Sequence, residues 1–93
     1  MSPALKLSNL PIGVLAHVVS VAPAIASDEA HELTVRLQEI GFIGGEPVKV
    51  IAHGFPGREP IAVRVGRTTF ALRRFEADQV RVAVAASASP LDR

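Results

Sequence analysis

Ninety-three residues make one domain with a single small core, and a 48% hydrophobic composition with only four aromatics, all Phe, leaves Val, Leu, Ile and Ala to build that core. Ten basic against nine acidic side chains give a net charge of +1, short of the positive field that a nucleic-acid binder carries. The lack of cysteine excludes disulfides and thiolate metal sites and fits a reducing compartment. The charge is uneven: residues 1–46 hold two basic and five acidic side chains (−3), and residues 47–93 hold eight and four (+4), which predicts one acidic and one basic face.

Residues 1–8 read as a loose lead-in in which Leu7 packs. Lys6, the apolar run 10–22 and Ala24-Ile25-Ala26 together imitate a signal peptide with its cleavage site. Pro11, Gly13, His17 and Ser20 interrupt that run, and removing residues 1–26 would leave less than a domain, so the segment is expected to belong to the fold. Leu10-Pro11-Ile12-Gly13 is a turn. Residues 14–21 (VLAHVVSV) are rich in β-branched side chains and predict a strand, apolar on both faces and hence central or covered by a helix. A loop around Pro23 comes next, with Ser27 or Asp28 as the helix N-cap and Asp28 and Glu29 in a first turn that favours negative charge.

A helix is expected over about residues 28–40. Leu33, Leu37 and Ile40 recur at i, i+4 and i+7 along one stripe, and Glu32, Arg36 and Glu39 are spaced to pair along the wet face. Gly41 falls at the position after the helix where the left-handed region is needed, Phe42 and Ile43 turn back inward, and Gly44-Gly45 bends the chain again. From Glu46 the period becomes two. Val48, Val50 and Ala52 are expected inward, with Lys49, Ile51 and His53 outward. After the 54–58 loop, Ile61, Val63 and Val65 face in and Arg64 out. Gly66-Arg67 is a tight hairpin, Phe70 and Leu72 return inward, residues 74–79 make one helical turn, and Val80, Val82 and Val84 close the last strand. Five short strands and one helix (about residues 28–40) predict a mainly β fold, a small SH3-like, partly open β-barrel. It spans residues 1–84 as one domain, with 85–93 as a tail.

Several segments together resemble the FeoA family: Leu10-x-x-Gly13; Arg36-Leu37-x-Glu39-Ile40-Gly41-Phe42-x-x-Gly45; Val48-x-Val50; Pro60-Ile61-Ala62-Val63-Arg64-Val65; and Phe70-Ala71-Leu72-Arg73-Arg74-x-Glu76-Ala77. The resemblance runs from about residue 7 to 84. It implies an SH3-like barrel with a helical insert, a kind of domain that also occurs at the C-terminus of iron-dependent repressors. It further implies a cytoplasmic, non-enzymatic role in bacterial ferrous iron uptake, in support of FeoB, the membrane transporter with a cytosolic GTPase region. No catalytic residue comes with it.

The residues themselves offer two kinds of site. Asp28, His31 and Glu32 stand at i, i+3 and i+4 of the helix, a spacing that suits a divalent ion such as zinc or iron; a capped, solvated first turn explains the same residues. His17, among apolar neighbours, reads as half-buried, and His53 as more exposed. Arg64, Arg67, Arg73 and Arg74 cluster around the hairpin as a basic docking surface for an acidic partner, or as a solvated barrel exterior. Phe55, in a Gly-Pro loop, has no evident burial and joins the partner-binding candidates. Exposed sheet edges invite a partner strand or a second copy, so a homodimer is open. No nucleophile elbow, Walker loop or dinucleotide loop is present. The reading is an accessory protein that binds FeoB and modulates its transport or GTPase activity, with no cofactor required, no nucleic acid and no membrane insertion. The alternatives are a metal-responsive module that dimerises and, behind it, a nucleic-acid-binding barrel.

Overall fold

The computed structural model describes residues 4–22, 27–54, 57 and 59–84. In chain order these form β1 (Leu5–Lys6), a 3-10 turn (Leu7–Asn9), β2 (Leu15–Val21), α1 (Asp28–Glu39), β3 (Pro47–His53), β4 (Ile61–Val65), β5 (Thr68–Leu72), α2 (Arg74–Ala77) and β6 (Val80–Val84). The strands pair antiparallel in one sheet of order β1-β6-β2-β3-β4-β5, left open between β1 and β5. The fold is mainly β with an inserted helix, as expected, but it has six strands. The sixth lies in the supposed lead-in, where Leu5 pairs with Val82 and Lys6 with Arg81. Residues 15–21, the heart of the signal-like run, are a central strand between β6 and β3. No described helix is long and apolar enough to cross a membrane.

Helix α1 begins where its chemistry predicts. The Ser27 hydroxyl accepts the Ala30 N–H at 3.0 Å, and Asp28 and Glu29 occupy the first turn. Leu33, Thr34 and Leu37 are buried, and the Thr34 hydroxyl donates to the Ala30 carbonyl. Among the described residues no arginine or lysine side chain hydrogen-bonds to a carboxylate, so the spaced charges Glu32, Arg36 and Glu39 do not close on one another. Exposed pairs of this kind gain little against the entropy of two long side chains.

The helix ends in a Schellman motif. The Phe42 N–H reaches the Leu37 carbonyl (3.0 Å) and the Gly41 N–H reaches that of Gln38 (3.2 Å), with Gly41 at φ +127°. Phe42 is wholly buried and sets its ring 6.4 Å from that of Phe70. Burying such a side chain contributes about 1.5–3 kcal/mol. The next turn donates the Gly45 N–H to the Val18 carbonyl (2.7 Å) and takes the Val18 N–H on the Glu46 carbonyl (2.9 Å), so the helix exit is stitched to β2 before β3 begins. The core is built largely of aliphatic side chains from all these elements, among them Leu7, Leu10, Val18, Leu37, Val50, Val63 and Val82.

Two bulges overturn parts of the simple alternation. In β3, Val50 faces Val63 but Ala52 faces Ala62, so Ile51 is an extra residue and Ala52 turns outward. The same slip carries His53 opposite the buried Ile61, and His53 is half-buried. In β2 the register shifts between Val18 and Ser20, and Val19 is the extra residue. His17 lies beside Pro47 and Ala83 on the outer face and is exposed. The two histidines therefore exchange the environments expected of them. The outer face of β2 is uncovered, with Leu15 and Val19 in solvent, and Val84 at the end of β6 is exposed rather than inward.

A side chain at position 41 meets only ordinary contact with Val65, so the backbone angle alone opposes it. Gly41→Val is expected to cost about 1–3 kcal/mol, the range for a non-glycine residue forced into such a conformation. Thermal unfolding checks it: each kcal/mol lowers the midpoint by about 4–8 °C in a domain of this size. An unchanged midpoint would refute the helix-stop argument.

Candidate functional site

The register of β2 to β5 arranges a row of outward side chains across four strands: Leu15 beside Lys49, Lys49 beside Arg64, and Arg64 beside Thr69. All four are exposed. Lys49 and Arg64 stand directly opposite on adjacent strands, an arrangement that disfavours the sheet because like charges repel. Arg67 sits at the tip of the β4–β5 hairpin, whose turn is permitted by Gly66 at φ +60°. The Glu46 carboxylate lies beside that turn, its Oε1 3.3 Å from where a Cβ on Gly66 would stand.

The expected arginine cluster divides in two. Arg64 and Arg67 share the outer face and hairpin with Lys49. Arg73, at the end of β5, borders a groove with Glu59, Pro60, Ala71 and Glu76. Arg74 turns away, to a cleft of about 440 Å³ that it lines with His53, Ile61 and residues 8–12. The backbone there is anchored by acids. The Glu76 carboxylate accepts the Arg73 N–H (2.7 Å), and that of Glu59 accepts the Arg74 N–H (3.2 Å). The Ser8 hydroxyl donates to Asp78, and Arg81 donates to the Asp78 carbonyl, tying the N-terminal turn to the end of α2. Phe55 lies outside the described residues.

Asp28, His31 and Glu32 are all exposed on the first turns of α1. Among the described residues no group of three or more His, Asp or Glu side chains gathers closely enough to hold a metal ion. Three donors on one helical surface do not enclose an ion, and zinc ordinarily takes four. As they stand, these residues do not form a closed metal centre.

Exposed apolar surface adds candidates that sequence reasoning passed over. Phe75 is 57% exposed and borders a cleft with Glu32, Leu33, Arg36 and Glu76. Its neighbours in sequence read as one polar helical turn, and nothing in that pattern shows an aromatic left in water. Ile43, expected to turn inward with Phe42, is instead 56% exposed and joins Val19 and Val35 around a groove of about 480 Å³ between α1 and β2. Val19 is there because of the bulge, which periodicity does not reveal.

The FeoA domain model matches residues 5–84. The chain belongs to the FeoA family. Its sequence is 45% identical to FeoA of Stenotrophomonas maltophilia, over 86% of this chain and 91% of that one, with a TM-score of 0.74. That protein was solved complexed with zinc and is described as a prokaryotic SH3 domain protein proposed as a ferrous iron transport activating factor. FeoA of Chlorobium tepidum is 31% identical over 94% of this chain and 76% of its own, with a TM-score of 0.71. Iron(II) transport protein A of Clostridium thermocellum is 33% identical with a TM-score of 0.70. The match covers 87% of this chain and 46% of that one. A search of curated proteins gives no match. The SH3-like fold and the link to ferrous iron transport thus agree with the resemblance read from the segments around Gly41 and Arg73.

The Lys49–Arg64 opposition has a measurable consequence. Arg64→Glu is expected to raise stability by about 0.2–1 kcal/mol, by turning a like-charge cross-strand pair into an attractive one. Urea unfolding checks the gain, which should shrink with added salt; a loss of stability would show that Arg64 is held by contacts other than its charge.

Proposed function

We propose that this protein is a cytoplasmic, non-enzymatic accessory factor of bacterial ferrous iron uptake that binds the FeoB transporter and modulates its transport or GTPase activity. The observation that carries this reading is the solvent-facing basic surface formed by Lys49, Arg64 and Arg67, on a chain that belongs to the FeoA family. The sheet keeps Lys49 against Arg64 at a cost to itself, which fits a surface meant for an acidic partner. Arg73 and Arg74 add positive charge at the other end of β5, and Phe75 offers an exposed apolar side chain in a separate cleft against α1. On this reading any effect on GTP hydrolysis works through the transporter's own GTPase region.

The test is titration of the protein against the cytosolic region of its cognate FeoB, with and without guanine nucleotide, following both binding and GTP hydrolysis. Saturable binding is expected. Arg73→Glu with Arg74→Glu should weaken it by about tenfold, more at low salt, because charges at an interface rim act mainly on association. Absence of binding in every nucleotide state would remove the reading.

A second reading, a metal-responsive module, is favoured by the zinc complex of the Stenotrophomonas relative. In it Asp28, His31 and Glu32 supply part of a coordination shell that water or a second copy completes. Calorimetry with zinc should then show binding that His31→Ala abolishes, and equal binding by wild type and variant would reject these ligands.

A further inference from the structure

Among the described residues the sheet's last strand, β5, is paired along one side only, with β4. β5 closes on β4 through a two-residue hairpin in which Val65 faces Thr68. Such a hairpin closes on a hydrogen-bonded pair, and the pairs then alternate. Thr68, Phe70 and Leu72 therefore spend their backbone groups on β4, while Thr69 and Ala71 aim theirs at the open edge. Both residues are exposed, and neither takes part in a backbone bond elsewhere among the described residues. The strand reads Thr-Thr-Phe-Ala-Leu, without the lysine, proline or bulge that usually blunts an edge.

Charge distinguishes between occupants. Two copies pairing β5 to β5 about a two-fold axis at Phe70 would set Thr69 opposite Ala71 and, at both ends, Arg67 opposite Arg73. Like charges directly opposed disfavour that dimer. A foreign strand with acidic residues meets no such penalty. On the outward side it would lie next to Thr69, beyond which stand Arg64 and Lys49 in one row. Three cations, Lys49, Arg64 and Arg67, stand toward the hairpin end, where the Glu46 carboxylate lies beside Gly66. At the other end Arg73 is balanced by Glu59 and Glu76. On the inward side, alternate residues of the added strand would continue the apolar surface of Phe70 and Leu72.

We propose that the free edge of β5 is a docking site for an extended partner strand that alternates apolar and acidic residues, held by the Thr69 and Ala71 backbone and steered by Arg64 and Arg67. This deepens the partner-binding reading above and rests on it for the identity of the partner, not for the edge itself.

Amide hydrogen exchange on the labelled full chain tests it, with two probes: a capped pentapeptide alternating valine and glutamate, with its lysine counterpart as control, and the cytosolic region of FeoB. Exchange at Thr69 and Ala71 is expected to slow by about tenfold or more with the acidic peptide or with the transporter region, and not with the lysine peptide. Ala71→Pro removes one edge donor while leaving the β4 ladder intact, and it should weaken binding by about tenfold. Arg64→Glu, which keeps every backbone group, should do the same and serves if the proline variant does not fold. Transporter binding with Thr69 and Ala71 unprotected, or undiminished in both variants, would overturn the edge proposal and leave the partner reading standing. Protection by the peptide without any transporter binding would support the edge and remove the partner reading. No protection with either probe overturns the edge proposal. Protection that grows with protein concentration alone would assign the edge to a second copy and overturn the acidic strand.

Discussion

The chain reversal from Leu37 to Glu46 governs how the strands after it are placed. Two backbone bonds end the helix, and they are geometrically possible because Gly41 takes a φ of +127°. The same reversal drives Phe42 into the centre of the core and against Phe70 of β5, and it delivers Gly45 and Glu46 to Val18. One local motif thus couples three distant parts of the sequence: the helix, the central strand β2 and the far strand β5. The register of β3 on β2 is set directly by it, and β4 and β5 inherit that register through their hairpins. The outward row of Leu15, Lys49, Arg64 and Thr69 is a consequence of that inheritance. A slip of one residue at the helix exit would send Lys49, and with it Arg64 and Thr69, to the other face.

Much of this architecture is legible in the residues. Ser27 before two acids, the 33-37-40 stripe and Gly41 mark both ends of the helix; Gly66-Arg67 between two alternating runs marks the hairpin. These signals are local, and local signals survive into the fold. What alternation cannot show is an inserted residue. Val19 and Ile51 are each the extra residue of a bulge, and each reverses the faces of the residues after it. That is why Ala52 points out, why His53 is drawn toward Ile61, and why Val19 joins an exposed groove. The two-residue β1 escapes for another reason: a strand so short has no period, and it exists because Val82 and Arg81 present an edge to Leu5 and Lys6. Likewise the arginines announce themselves as a basic half of the chain, but only the register separates Arg64 from Arg74.

The charged surface and the stability of the sheet pull in opposite directions. A cross-strand position opposite Lys49 would be served best by an acid, and the domain places Arg64 there instead. A small domain with a core of this size has little stability to give away. On the proposed reading, an anionic partner surface would relieve this repulsion, so the pair that weakens the free protein would strengthen a complex. Electrostatic attraction of this kind acts mostly on the rate of encounter and fades with salt.

The open side of the barrel extends the same logic to the backbone. In a closed barrel every strand has two neighbours and the edge problem disappears. Here β1 pairs with β6 and, among the described residues, not with β5, whose uncharged middle lies between Arg67 and Arg73. Those flanking charges do two things at once. They disfavour the self-pairing centred on Phe70, which would oppose Arg67 to Arg73, and they favour a strand of opposite charge. Edge protection and partner selection are then the same feature seen from two sides. On the edge proposal, the backbone of Thr69 and Ala71 would supply hydrogen bonds that any extended chain could use, and the arginines at the ends of the strand would select which chains approach.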